Sequence, residues 1–236
     1  MWPFKAKKHN LITISLTPQK IACGYITNNN SPESIIVNSY EETKFDSYEF
    51  EKAIVFNPTK ITHIINNFTK KNNITNAQSA LSVKGLNIQE NIVTLVQSTP
   101  KKNNFNISEL NNITWDYTYL GPSLKSGFDF YVCGIRKEIL FQYKLLLIRS
   151  GLIPTIITTE KTAHLQLYKY IKGDSFRQSQ LAVDLSKNNY NIQNTFTPEN
   201  ISNNFTLNQT TNINLKKNLP LLSTNIGLYL LGNINE

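Results

Sequence analysis

Two apolar runs open the chain, Leu11–Leu16 and Ile21–Thr27, separated by Pro18-Gln19-Lys20. Runs of this length around a short turn predict a β-hairpin. A third run, Ser34–Tyr40, follows the loop Asn28–Pro32 and predicts a third strand. The period then changes. Asn57 can cap a helix and Pro58 suits its first turn, after which Ile61, Ile64, Ile65 and Phe68 recur on one face until Asn72-Asn73. Ala80–Val83 and Ile92–Val96 read as strands. Thr99–Asn112 is polar and predicts a loop with a short helix near Ser108–Leu110.

Thr114–Leu120 alternates as a strand does, Gly121–Gly127 is a turn-rich link, and Phe128–Gly134 is an apolar strand. A helix is expected over Lys137–Arg149, carrying Ile139, Leu140, Tyr143, Leu146 and Leu147, with Gly151 where a helix-ending glycine belongs. Ile153–Thr158 predicts a strand, and Glu160–Ile171 a helix with Ala163, Leu167 and Ile171 on one side. Gln180–Leu185 is a further strand. Ser186–Asn218 is polar, with short strands expected at Tyr190–Phe196 and Asn203–Leu207, and Leu219–Leu231 predicts a closing helix that Gly227 weakens. Strands alternating with helices indicate an α/β protein, and no fixed-period repeat is present.

The 236 residues suffice for a core that needs no disulfide or metal. Asparagine, at 32 residues, occupies surface positions where charge is usual, and charged residues fall to 17%. Its Asn-x-Ser/Thr triplets are therefore read as chance rather than as glycosylation sites. The net charge of +8 admits a nucleic-acid or anionic-membrane partner, but Lys70-Lys71, Lys101-Lys102 and Lys216-Lys217 lie far apart. Only Lys5, Lys7 and Lys8 crowd together, beside Trp2 and Phe4, as a flexible basic tail over residues 1–9 that could touch a membrane surface. Cys23 and Cys133 lie in strand-like runs, and His9, His63 and His164 show no ligand spacing, so neither a zinc site nor a disulfide is indicated. The apolar stretch Leu11–Leu16 is too short for a signal-peptide core, and no run approaches the roughly 20 residues of a membrane-spanning helix.

Three pieces in order carry a family pattern: the opening hairpin, third strand and helix; Phe128–Ile139 running through Leu145–Pro154; and Leu181-Ala182-Val183-Asp184-Leu185 with Ile226-Gly227-Leu228-Tyr229-Leu230-Leu231-Gly232. The chain resembles the actin-like PilM family of type IV pilus assembly. The same pattern is shared by HofM-type pilus proteins and the cytoplasmic domain of GspL-type secretion proteins. The resemblance implies an actin-like, ribonuclease-H-like α/β fold. It divides the chain into a first domain at 10–175, with a small inserted subdomain around 86–120, and a reduced second domain at 176–236. It further implies a cytoplasmic platform at the inner membrane, peripheral to it. Such a platform holds the cytoplasmic tail of a bitopic PilN-like membrane protein and could also dock an assembly ATPase.

Actin-like ATPases cradle phosphates in two turns built from Asp, Gly and Ser/Thr, because glycine lets backbone amides approach the anion. The matching first turn, around Ser15, Thr17 and Lys20, has neither Asp nor Gly, and Pro18 removes a donor. The second, around Asp184, Ser186 and Lys187, keeps the Asp but lacks the Gly. No Gly-Gly pair stands where an adenine would lie. These six residues are read as degenerate phosphate-turn positions of a non-catalytic pseudo-ATPase with no cofactor. A working nucleotide-binding ATPase and a basic nucleic-acid binder are the alternatives, although no nucleic acid is expected. The acidic run Glu41, Glu42, Asp46, Glu49 and Glu51 is read as a solvated loop rather than a metal or acid/base site.

Overall fold

A computed structural model describes residues 11–28, 35–45, 50–51, 54–85, 88–105, 112–123, 126–173, 196–208 and 213–234. The tail at 1–9, the helix near Ser108–Leu110, the strand Gln180–Leu185 and most of Tyr190–Phe196 lie outside them.

Strand β1 (Leu11–Thr17) is buried on both faces. Ile12, Ile14 and Leu16 join one apolar cluster, while Leu11 joins another on the opposite face, beside the buried Thr13 and Ser15. Such a strand must be central and covered twice. It pairs antiparallel with β2 (Lys20–Asn28), and β2 pairs antiparallel with β3 (Ile35–Lys44). On its other side β1 pairs in parallel with β6 (Gln78–Val83), which pairs in parallel with β10 (Ile153–Thr159). A short β11 (Thr206–Leu207) adds in parallel to β3, so the six strands run β10-β6-β1-β2-β3-β11. Two further short strands, β4 (Phe50–Glu51) and β5 (Ile54–Val55), form a separate ladder.

Helices cover both faces of the large sheet. Helix α1 (Pro58–Lys71) begins where Asn57 accepts a hydrogen bond from Lys60 N, and it buries Ile61, Ile65 and Phe68. Helix α2 (Lys137–Arg149) lies beside it and buries Ile139, Tyr143, Leu146 and Leu147 in the same cluster. On the opposite face lie α3 (Glu160–Lys172) and α5 (Leu215–Ile234), packed along each other over β1, β2 and β6. The first helix and the two helices after Gly134 thus follow the hydrophobic spacing closely.

Two regions depart from it. The expected strand at Asn203–Leu207 starts late: Asn203 and Asn204 end helix α4 (Pro198–Asn204), which Thr197 caps at Asn200 N and Pro198 starts, and only Thr206 and Leu207 pair with β3. A second sheet begins within the expected insert around 86–120 and continues past it. Strands β7 (Ile88–Leu95), β8 (Ile113–Pro122) and β9 (Phe128–Arg136) form their own antiparallel sheet in the order β7-β9-β8, called the insert below. Strand β9 goes to this sheet because its alternate side chains satisfy two clusters. Phe130 and Val132 pack with Phe105, Trp115 and Tyr117, and Tyr131 packs with Leu120 and Leu165.

Helices α3 and α5 form one packed layer. Gly227 of α5 meets α3 so closely that a methyl group there would lie 2.0 Å from the Ala163 carbonyl oxygen. Ile226, Leu228 and Tyr229 are buried in the same cluster as Ala163 and Leu167. The described part of 176–236 thus completes the first sheet and its cover.

Candidate functional site

The first expected phosphate turn is the tight connection between β1 and β2. Thr17 Oγ1 accepts from Lys20 N at 3.1 Å and donates to Lys20 O at 3.2 Å, so its hydroxyl closes the turn on itself. Lys20 Nζ binds Glu42 Oε2 at 2.9 Å, and Tyr40 donates to the other Glu42 oxygen at 2.6 Å. Burial pushes the Glu42 carboxyl up, but hydrogen bonds from Tyr40, Asn218 and Lys20 outweigh it and hold the group below the usual carboxylate range. Ser15 is buried, and its hydroxyl donates to Asn225 Oδ1 on α5. Asn225 Nδ2 reaches Ala22 O at 3.5 Å. Gly24 makes room for it, since a Cβ there would sit 2.7 Å from Thr13 Oγ1 and 3.1 Å from Asn225 Nδ2. Ser15, Thr17 and Lys20 are thus brought together, but each is engaged by other residues of the chain.

Asp184, Ser186 and Lys187, with Trp2, Phe4, Lys5, Lys7 and Lys8, lie outside the described residues. Glu41 pairs with Lys71 and Glu42 with Lys20, so these two members of the acidic run bind lysines of the fold. Among the described residues no group of three His, Cys, Asp or Glu is placed to hold a metal ion. Cys23 and Cys133 are free thiols.

A second polar element lies between α3 and α5. His164 is buried, and its Nε2 sits 2.8 Å from Thr224 Oγ1. Burial depresses its basicity to a pKa of about 4; Glu160 opposes the shift and Lys84 adds to it. The side chain is therefore a neutral interior hydrogen-bonding group at neutral pH.

A groove of about 450 Å³ lies between the large sheet and the insert. Strand β10 lines it from Thr155 to Thr159, β8 from Thr114 to Thr118 and β9 from Cys133 to Ile135. Among the described residues β10 and β8 are each the terminal strand of their sheet. Leu140 of α2, Thr162 and Gln166 of α3 and Leu231 of α5 also line it. The surface is apolar and hydroxyl-rich, and Asp116 is the one charged side chain among the described lining residues. Such a lining suits an uncharged extended chain and repels a polyphosphate. Terminal strand edges also offer backbone donors and acceptors to a segment laid along them.

The width of the groove is set by contacts that fasten the insert to α3. Tyr131 donates to Glu90 Oε1 at 2.5 Å and lies 3.0 Å from Thr159 Oγ1. Glu90 Oε2 takes Lys161 Nζ at 2.6 Å, and Lys169 Nζ donates to Tyr119 O at 3.1 Å. Burial, and then the Glu90 charge, pushes the Tyr131 phenol well above its ordinary value, keeping it a proton donor at all physiological pH. Sequence reasoning singled out none of these residues, nor Asn225. A signal for Asn225 exists: Ser223-Thr224-Asn225 interrupts the apolar run Leu219–Leu231. The groove residues carry none, because threonine and isoleucine on strands look the same on an exposed edge as in a ladder.

No family model and no curated protein matches the sequence. Among solved structures, a PilM–PilN type IV pilus biogenesis complex matches with a TM-score of 0.55 at 13% identity, over 68% of this chain and 50% of that one. The cytoplasmic domain of EpsL, an inner membrane component of the type II secretion system of Vibrio cholerae, aligns with a TM-score of 0.39 at 9% identity, over 65% of this chain and 57% of that one. A Bacteroides thetaiotaomicron protein with an actin-like ATPase fold aligns at 0.37 and 12% identity, over 73% and 59% of the two chains. The chain spans about half the length of the matched chain of the PilM–PilN complex. At such identities the likeness is one of fold: the α/β architecture expected from the sequence is shared with the matched chain of the PilM–PilN complex.

Proposed function

We propose that this protein is a non-catalytic scaffold of a type IV pilus or related type II secretion assembly. Its groove between β10 and β8 holds an extended segment of a membrane-anchored, PilN-like partner. The observation that carries the reading is the groove itself: about 450 Å³ lined by two strands that are terminal among the described residues, and almost free of charge. A strand-like peptide gains main-chain hydrogen bonds from such edges and specificity from pockets for alternate side chains. A seat of this size gives micromolar binding, about −8 kcal/mol at a Kd of 1 μM. Asp116 favours a segment with a basic residue at that end of the groove.

The pseudo-ATPase reading rests on the first turn, where Thr17, Lys20 and Ser15 are engaged within the protein and Pro18 supplies no amide. ATP with Mg²⁺ leaves the melting temperature unchanged, whereas a ligand at 100 times its Kd would stabilise by about 2.7 kcal/mol, several degrees for a chain of this size. A nucleotide-dependent rise abolished by Asp184→Ala would sink the pseudo-ATPase reading.

The groove is tested by calorimetric titration with a synthetic peptide of the partner's cytoplasmic tail. Thr114→Trp, an exposed lining position, fills the groove and weakens binding at least tenfold without changing the fold. Binding that is indifferent to Thr114→Trp and to Asp116→Lys would show that the peptide sits elsewhere.

A further inference from the structure

Helix α2 is apolar on two sides. Ile139, Tyr143, Leu146 and Leu147 face the sheet and are buried. At 3.6 residues per turn, Phe141, Leu145 and Ile148 fall together on the opposite side. Phe141 is 59% exposed and Ile148 55% exposed. Isolated surface apolar residues are ordinary, but a stripe at i, i+4, i+7 is not. Lys137 and Lys144 flank this stripe on one side and Arg149 on the other, with Glu138 as the helix's one acidic residue.

The neighbouring helix extends the pattern. Helix α1 carries Lys60, Lys70 and Lys71 and no acidic residue, and Phe56 just before it is 56% exposed. The two helices lie side by side on one face of the sheet, so their six basic residues and one acidic residue share a single helical layer, in which Lys71 is paired with Glu41 of β3. The cations are spread around an apolar centre rather than focused into a cleft. That distribution complements a plane of negative charge with an apolar interior, and aromatic and aliphatic residues between cations mark an interfacial helix.

We propose that the outer face of α2, with the adjoining face of α1, is a docking surface for an anionic phospholipid membrane, with Phe141 and Ile148 entering the headgroup region. This surface is separate from the groove and needs no protein partner, so vesicles alone test it.

The full chain is sedimented with vesicles of phosphatidylcholine alone, or of phosphatidylcholine and phosphatidylglycerol in roughly equal parts. Binding is expected only to the anionic vesicles and weakens with salt. A basic residue at an anionic surface contributes about fivefold in partitioning, so Lys144→Ala with Arg149→Ala lowers it by about 25-fold. Glu138→Lys, which only adds attraction, raises it by about tenfold or more. Phe141→Ser with Ile148→Ser removes the fraction that survives high salt. All these positions are exposed, and an unchanged thermal melt confirms that each variant folds. A variant with Lys5, Lys7 and Lys8 all changed to Ala keeps the α2-dependent binding. The proposal fails if the chain ignores phosphatidylglycerol vesicles. It fails equally if the α2 variants partition like the parent while the tail variant loses binding, or if the face captures an acidic protein but no bilayer.

Discussion

Gly227→Ala tests how the C-terminal helix is placed, because two arrangements predict opposite signs. On a solvated helix, replacing glycine by alanine stabilises by about 1 kcal/mol through helix propensity. Here the new methyl group would lie 2.0 Å from Ala163 O, 2.5 Å from Ala163 C and 3.1 Å from Ala163 Cα. These are backbone atoms, which no rotamer change can move aside. The two helices must part by more than an ångström, loosening Leu167, Ile226, Leu228 and Tyr229, all of them buried. Overpacking of this kind costs about 3 kcal/mol or more, so the net loss after the propensity gain is about 2 kcal/mol. Urea unfolding would show the midpoint falling by about 1 M, and the melting temperature by roughly 4–8 °C for a chain of this size. An unchanged or raised midpoint would mean that α5 does not cross α3 at this point, and that residues 176–236 form a unit apart from the first sheet.

Three further outcomes follow from buried and half-buried polar groups. His164 has a pKa of about 4 in the folded protein against about 6.5 when unfolded, so its contribution to stability is complete above pH 6.5 and is lost as pH falls from 6.5 to 4. The unfolded chain takes up the proton first, and the total loss is on the order of 3 kcal/mol; His164→Gln flattens the stability–pH curve in that window, and an unaltered slope would contradict the burial. Glu42 acts lower, since its depressed carboxyl releases stability only as pH falls through and below the ordinary carboxylate range. Asn225→Ala leaves the buried Ser15 hydroxyl without its acceptor and costs about 1–3 kcal/mol. In a double-mutant cycle Ser15→Ala recovers part of that loss, and strict additivity of the two changes would deny the contact.

The legible parts of this fold are those whose signal lies within one element. Helix α2 begins and ends at Lys137 and Arg149 as its spacing predicts, and α1 is announced by Asn57, Pro58 and the Ile61–Phe68 stripe. The hairpin is visible because Pro18 and Gln19 interrupt two apolar runs. Strand β9 was recognisable as a strand but not as a member of the insert, since its partners lie 40 or so residues before it and about 15 before it. Asn203 and Asn204 misled because capping by Thr197 and the turn preference of Pro198 outweigh a weak strand pattern. The candidate site was the least legible. A groove is made of space between elements and has no residue pattern of its own.

What the sequence determined by itself is the order of most strands and helices and their apolar faces. Each depends on contacts or backbone freedom within a few residues, and so leaves a local trace. Tertiary structure alone decided which strands pair, that β9 lies between β7 and β8, and that α5 returns across the first sheet to place Asn225 against Ser15, 210 positions away in the chain. It also decided that β10 and β8 line one groove, and that one side of α2 is left bare with its cations around it. Pairing and burial are settled by the summed free energy of many distant contacts, none of which any single segment encodes.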